Sequence, residues 1–429
     1  MQPANRFLLS RLRGLATTVN AVRPAGKEPP LASYAFAVGL PTSELPLQVA
    51  ALQIATAAYW AAKNGRSLRS AQGALGLALG AASLGGLWAL HREAHRSADV
   101  LEAALVDALG PHYRDRITEP FTPQPDVPLT RRAVALPALT AGRRRYLSER
   151  DLAYGEFGVR NHLDIWKRKD LPADAAAPVL LQVHGGAWAM GEKRTQANPL
   201  MGHLAERGWV CVSINYRLSP RSTWPDHIVD VKRAIAWVRA NIGRYGGDPS
   251  FLAISGGSAG GHLASLAALT PGLAAFQPGF EDADTSVTAA VPLYGVYDFL
   301  NRDGTSAKAL GPFVARLLFK SQPDDDRETW EQASPLSHVG PHAPPFFVLH
   351  GTNDTIVPVG MARSFVARLR SSSPQPVVYA ELPRAQHAFD VLPSVRAHRT
   401  VHAIERFLAV VRSERGGQTP AEAVESDRV

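Results

Sequence analysis

A single cysteine in 429 residues, Cys211, has no partner within the chain. That excludes an internal disulfide and any metal cluster built on several thiolates. Cys211 stands in the apolar run WVCVSINY, which reads as core strand and not as the setting of a reactive thiol. A large charge of one sign is also missing. The 46 basic and 38 acidic residues give a formal net charge of +8, dispersed along the chain, so nothing marks a nucleic-acid partner. The sequence shows no glycine-rich phosphate loop, no internal repeat and no His/Cys/Asp cluster with metal-ligand spacing. No cofactor and no metal are therefore expected. The N-terminus has basic residues but no unbroken apolar core leading to a small-residue cleavage site, so it is not read as a signal peptide.

What the first hundred residues do contain is two uncharged stretches, Leu45 to Ala62 and Ser70 to Leu90. The second has about the 20 residues needed to cross a bilayer core. Gly76 and Gly80 give it a spacing that lets helices approach closely in lipid, and Tyr59, Trp60 and Trp88 lie where interfacial aromatics belong. Residues 45–90 thus predict a hydrophobic helical hairpin and an association with the membrane or cell envelope. The alternatives are a buried hairpin or lid on a cytoplasmic enzyme. Gln48, Gln53 and Pro46 weaken the first stretch. Lys63, Arg66 and Arg69 favour a cytoplasmic turn, while the N-terminal arginines pull the other way.

The chain divides by pattern into a helical region (1–97), a connector (98–145), a catalytic domain (146–413) and a disordered polar tail (414–429). The connector holds one helix, Ala98 to Leu109, and a proline-rich stretch from Phe121 to Leu129. In the catalytic domain, apolar runs alternate with amphipathic segments. Val179 to Val183, Val210 to Ile214, Phe251 to Ser255, Ala289 to Leu293, Pro345 to Leu349 and Val377 to Leu382 read as strands. Asp226 to Ile242, Gly260 to Leu269, Gly360 to Leu369 and Val395 to Val411 read as helices. Such alternation predicts an α/β fold, a mostly parallel twisted sheet with helices on both faces.

The strongest chemical signal is Gly256-Gly257-Ser258-Ala259-Gly260, a G-x-S-x-G pentapeptide between a strand and a helix. A serine on so sharp a turn is pushed out over the carboxyl edge of the sheet, where open α/β sheets bind ligands. The second signal, His184-Gly185-Gly186-Ala187-Trp188, also follows a strand. Acyl transfer develops a negative oxygen that waiting backbone amides must receive. Gly185, Gly186 and Ala259 are the candidate oxyanion hole, with the Ala187 amide as a substitute. Ala187 and Trp188 are candidate substrate contacts, and His184 is expected to pin its loop.

A serine hydroxyl needs a base, and the base needs an acid that fixes its tautomer. Asp354 follows the strand PPFFVLH, and His387 follows VVYAEL 33 residues later, as in the chain order Ser, Asp, His. Asp298 is the rival acid, and His350 and His262 are expected to be structural. The segment from Asn301 to Pro335 is expected near the pocket entrance.

Taken together, HGGAW, SINYRLSP with WPDHIVDVKRAIAWV, YGGDPSFLAISGGSAGGHL, HGTNDTIVP and the late His387 resemble the hormone-sensitive-lipase-like carboxylesterases, in particular a bacterial, mycobacterial-type subgroup with an N-terminal hydrophobic hairpin. The resemblance spans about residues 150 to 412. It implies the α/β-hydrolase fold, a Ser258–Asp354–His387 triad, and hydrolysis of short- to medium-chain acyl esters through an acyl-enzyme. Many relatives carry a third glycine where this chain has Ala187, whose methyl narrows the acyl pocket or shifts which amides serve the oxyanion. The expected partner is a small-molecule or lipid ester. An amidase, arylformamidase or peptidase with the same triad is the alternative enzyme, and an inactive binding protein on this fold the alternative class.

Overall fold

The structure, a computed structural model, describes residues 2–24, 26, 28, 30–118 and 141–416. The proline-rich stretch after Phe121 and the tail beyond residue 416 lie outside the described residues.

Eight strands form one sheet: β1 (Leu147–Ala153), β2 (His162–Trp166), β3 (Ala177–Val183), β4 (Val210–Ile214), β5 (Gly247–Gly257), β6 (Ala289–Leu293), β7 (Phe346–Gly351) and β8 (Val377–Leu382). Their order is β1-β2-β4-β3-β5-β6-β7-β8. The pairs β1–β2 and β2–β4 are antiparallel and all later pairs are parallel. The parallel strands match the six sequence-predicted runs because both of their faces are buried, which leaves continuous apolar sequence. The two strands that the sequence pattern hides have reasons to be hidden. β1 is a largely exposed edge, LSERDLA, and β2 holds Asp164 fully buried beneath Arg194 at 2.6 Å.

Around the sheet lie the helices α1 (Pro3–Val22), α2 (Leu31–Glu44), α3 (Pro46–Leu68), α4 (Ala71–Leu109), α5 (Asn198–Glu206), α6 (Asp226–Asn241), α7 (Ala259–Leu269), α8 (Val359–Ser372) and α9 (Val395–Gly416). One face of the sheet packs against α6, α7 and α8, through residues such as Ile235, Leu263 and Phe365. The other packs against α5, α9 and the last turns of α4, through Leu204, Phe407 and Leu105. Cys211 lies in this second core, fully buried, where burial pushes its thiol up.

The N-terminal region departs from the expected boundaries. The helix expected at Ala98 to Leu109 is the end of a single 39-residue helix, α4. Its buried residues, from Gly73 through Leu87, Leu90, Ala94 and Leu101 to Leu109, recur at helical spacing along one stripe. The glycines on that stripe receive α1 of the same chain: a Cβ on Gly76 would lie 2.8 Å from the Phe7 ring, and one on Gly80 3.3 Å from Arg11. Thr18 on α1 and Ser83 on α4 share a hydrogen bond of 2.8 Å. The 1–97 region is also joined to the catalytic domain. Asn353 donates to the carbonyls of Ala21 and Val22, Thr355 donates to the Ala32 carbonyl at 2.9 Å, and Glu44 pairs with Arg396 with both side chains fully buried.

Candidate active site

Ser258 sits at the junction of β5 and α7 with φ 59° and ψ −123°, a left-handed backbone that an ordinary side chain avoids. The central strand β5, paired with β3 and β6, holds one side of the turn, and the Ser258 amide donates to the Leu293 carbonyl at 3.0 Å. The neighbours must be glycine for the turn to fit. A Cβ on Gly260 would collide with the Val183 carbonyl, and one on Gly185 would lie 2.5 Å from the Gly257 carbonyl and 3.1 Å from the Ser258 Cβ. Both of the sequence's glycine loops thus press against each other beneath the hydroxyl. The serine itself is half-buried.

Asp354 and His387, 33 residues apart, meet at the ends of the adjacent strands β7 and β8. His387 Nδ1 lies 2.7 Å from Asp354 Oδ2. The other carboxylate oxygen accepts the amides of Ile356 and Val357, each at 2.8 Å, and His350 Nε2 stands 3.3 Å from Oδ2. Burial alone would push the Asp354 carboxyl up. His387 and His350 beside it prevail and hold it well below the usual carboxylate range. Asp298, the rival acid, is instead paired with Arg302 at 3.0 Å.

Three residues that the sequence did not single out complete the surroundings of His387. Gln386 Oε1 accepts the amides of Thr355 and of His387, both at 2.9 Å, which ties the acid loop to the base loop. The Tyr294 ring lies 4.6 Å from the His387 ring, and its hydroxyl donates to Asp390. The same hydroxyl abuts Gly257, so the serine turn and the imidazole share Tyr294 as a wall. On another side Phe36 of α2 meets the His387 ring edge-on, centroids 5.9 Å apart. No short motif announces these contacts, because each joins segments far apart in the chain.

The HGGAW loop differs in detail from its expected use. The Gly185 amide, expected to face the oxyanion, donates to Gln196 Oε1 at 2.7 Å. Among the described residues the amides of Gly186, Ala187 and Ala259 have no protein acceptor. Trp188, expected at the substrate, is 2% exposed. Its indole donates to His262 Nδ1 at 3.1 Å and packs on Phe299, so it anchors the loop from below. His262 also reaches the Ala333 carbonyl at 2.8 Å, and burial pushes it down to about 4. His184 stacks on Tyr216 and hydrogen-bonds the Gly185 carbonyl at 2.7 Å; burial likewise takes it to about 4, so it is neutral at pH 7. Leu318 and Phe319 from the 301–335 segment enter the core, Phe319 packing against Phe299.

A strained serine, an oriented imidazole and unengaged amides are the parts that acyl transfer requires. Known proteins point the same way. Residues 163–369 match the BD-FAE family. The chain is 48% identical over 410 residues to the probable carboxylic ester hydrolase LipM of Mycobacterium tuberculosis, covering 95% of this chain and 94% of that one. It is 50% identical over 325 residues to the esterase LipQ of the same organism, covering 76% and 77%. The butyrate-bound structure of a thermophilic esterase, Est2 of Thermogutta terrifontis, superposes with a TM-score of 0.52 at 25% identity, covering 64% of this chain and 96% of that one.

Proposed function

We propose, from the premise that this chain belongs to the α/β-hydrolase family of carboxylic ester hydrolases that includes LipM and LipQ, that its ester cleavage runs through Ser258, His387 and Asp354. That the protein hydrolyses carboxylic esters follows from the family; the residue roles are our reading. The observation that carries them is the 2.7 Å contact of His387 Nδ1 with Asp354, in a cluster that shares Tyr294 with the Ser258 turn.

In this mechanism His387 Nε2 takes the Ser258 proton as Oγ attacks the ester carbonyl. Asp354 fixes the Nδ1–H tautomer and stabilises the imidazolium that forms. The carbonyl oxygen, now negative, is received by the amides of Gly186 and Ala259, with Ala187 alongside. Loss of one such donor typically costs about 2.7–4 kcal/mol of transition-state stabilisation. His387 then protonates the departing alcohol. Water, deprotonated by His387 in turn, releases the acid from Ser258.

Short- to medium-chain acyl groups fit this reading, since the Phe36 ring takes up space beside the base, 5.9 Å from the His387 ring. Est2 of Thermogutta terrifontis, of the same fold, is known with butyrate bound. A lipid ester is the second substrate form. It is supported by the apolar residues that the N-terminal helices expose, among them Leu52, Ile54, Leu75, Leu77 and Trp88, and by α4, long and apolar enough to cross a bilayer. With Ser258→Ala, p-nitrophenyl butyrate turnover is expected to fall on the order of a millionfold. Circular dichroism should stay unchanged. A variant with wild-type rates removes Ser258 from the mechanism.

A further inference from the structure

Away from the ester site, α5 and α9 bring together side chains 202 positions apart in the chain. His398, His402 and Glu405 follow one another at i, i+4 and i+7 on a single stripe of α9. His203 faces them from α5, 202 positions before Glu405. We propose that His203, His402 and Glu405 bind a divalent transition-metal ion of the zinc kind, with His398 as the group that orients His402.

The geometry assigns a distinct role to each atom. His203 Nε2 is 2.6 Å from Glu405 Oε2, and His402 Nδ1 is 3.8 Å from the same oxygen. One ligand atom from each of these three residues falls within 4.8 Å of the others. Ligands at 2.0–2.1 Å in a tetrahedron stand about 3.3–3.4 Å apart, so the short pair must open by about 0.7 Å and the longer ones close by up to about 1.5 Å to make a three-ligand shell. Two imidazoles and one carboxylate form a set that suits zinc and leaves a fourth position for water. The surroundings also resemble the outer support of metal sites. His402 uses its remaining nitrogen, Nε2, on His398 Nε2 at 3.1 Å, which fixes the ring. Glu405 Oε1 is held by Arg207 Nε at 3.6 Å, so Oε2 is the oxygen presented to the ion. The Glu405 and His203 side chains are 7% and 11% exposed while His402 is 24% exposed, which gives the ion an entry on the His402 side. On binding, the His203–Glu405 hydrogen bond is replaced by two metal bonds and the His203 hydrogen moves to Nδ1.

The full chain in detergent, stripped by chelator dialysis, is titrated with zinc chloride by calorimetry and with cobalt(II) for the visible absorption of a tetrahedral site. One ion per chain is expected. His203→Ala and His402→Ala should weaken binding by at least about tenfold, the loss already seen when an outer-shell partner is removed. Cooperative thermal unfolding of the metal-free variants checks that they fold, and Glu405→Gln supplies a third variant should one of them not fold. His387→Ala, which removes an imidazole beside a different carboxylate, should bind as wild type. Absence of zinc binding, or binding retained by the α5 and α9 variants and lost in His387→Ala, overturns the proposal.

Discussion

At Gln386 a single side-chain oxygen receives two amides, those of Thr355 and His387, and so sets the separation of the acid loop from the base loop. The residue is buried and does not touch the serine turn in any contact described above, so it acts by positioning. Catalytic groups displaced by about 1 Å lose up to a hundredfold in rate. Gln386→Ala is therefore expected to lower kcat by about 10- to 100-fold with little change in KM. Gln386→Glu, which keeps the accepting oxygen, should restore part of it. A steady-state comparison of the two variants on one p-nitrophenyl ester checks this, and a loss seen only in KM would reassign Gln386 to substrate binding. The contrast with Trp188 shows what one-dimensional reading misses at this scale. Its place after the glycine pair suggests the substrate, yet its indole finds His262 below the loop. The places of Ser258, Asp354 and His387, each a short way past a strand end, were legible because those strands carry clean apolar patterns. Tyr294, Gln196 and Gln386 were not, because their roles exist only after distant segments meet.

Among the elements, α2 and α9 are joined by the Glu44–Arg396 pair, with Ser394 donating to the same carboxylate at 2.7 Å. Neither charge reaches water, so removal of one leaves the other buried and unpaired. Such a loss costs about 3–5 kcal/mol, whereas replacing both partners by apolar residues is often neutral. Denaturant unfolding should therefore show Glu44→Leu strongly destabilised and Glu44→Leu/Arg396→Met largely recovered. Equal stability of the single variant and the wild type would mean that the pair does not fasten α2. The elements themselves were read well where period and burial agree. The six parallel strands and α6 to α9 carry clean patterns. β1, exposed, and β2, with its buried Asp164, carry none. α1 and α2 escaped notice because they bury polar groups, Arg11, Thr18, Thr42 and Glu44, through contacts with other elements.

For the whole molecule, α4 runs across the expected boundary at residue 97, and α2 supplies Phe36 to the surroundings of the base. The apolar start of α4 is mostly exposed. Membrane association predicts that the full chain stays in the pellet after an alkaline carbonate wash of expressing cells. Arginines at Leu75 and Leu77, two outward positions, cost about 2.5–3.5 kcal/mol each at a helix centre in lipid. Leu75→Arg/Leu77→Arg should therefore move the protein to the supernatant with its ester turnover intact. A wild-type chain found in the supernatant removes the membrane from the account.

The 39 residues of α4 make a rod about 58 Å long, its first half apolar and outward and its last turns, Leu101 to Leu109, locked into the core beneath the sheet. A mast of this kind does not swing as a flexible leash does. Wherever its outer half is lodged, the serine rides at one height and one tilt above that place. If that place is a bilayer, the catalyst meets only the esters that come to that distance from it.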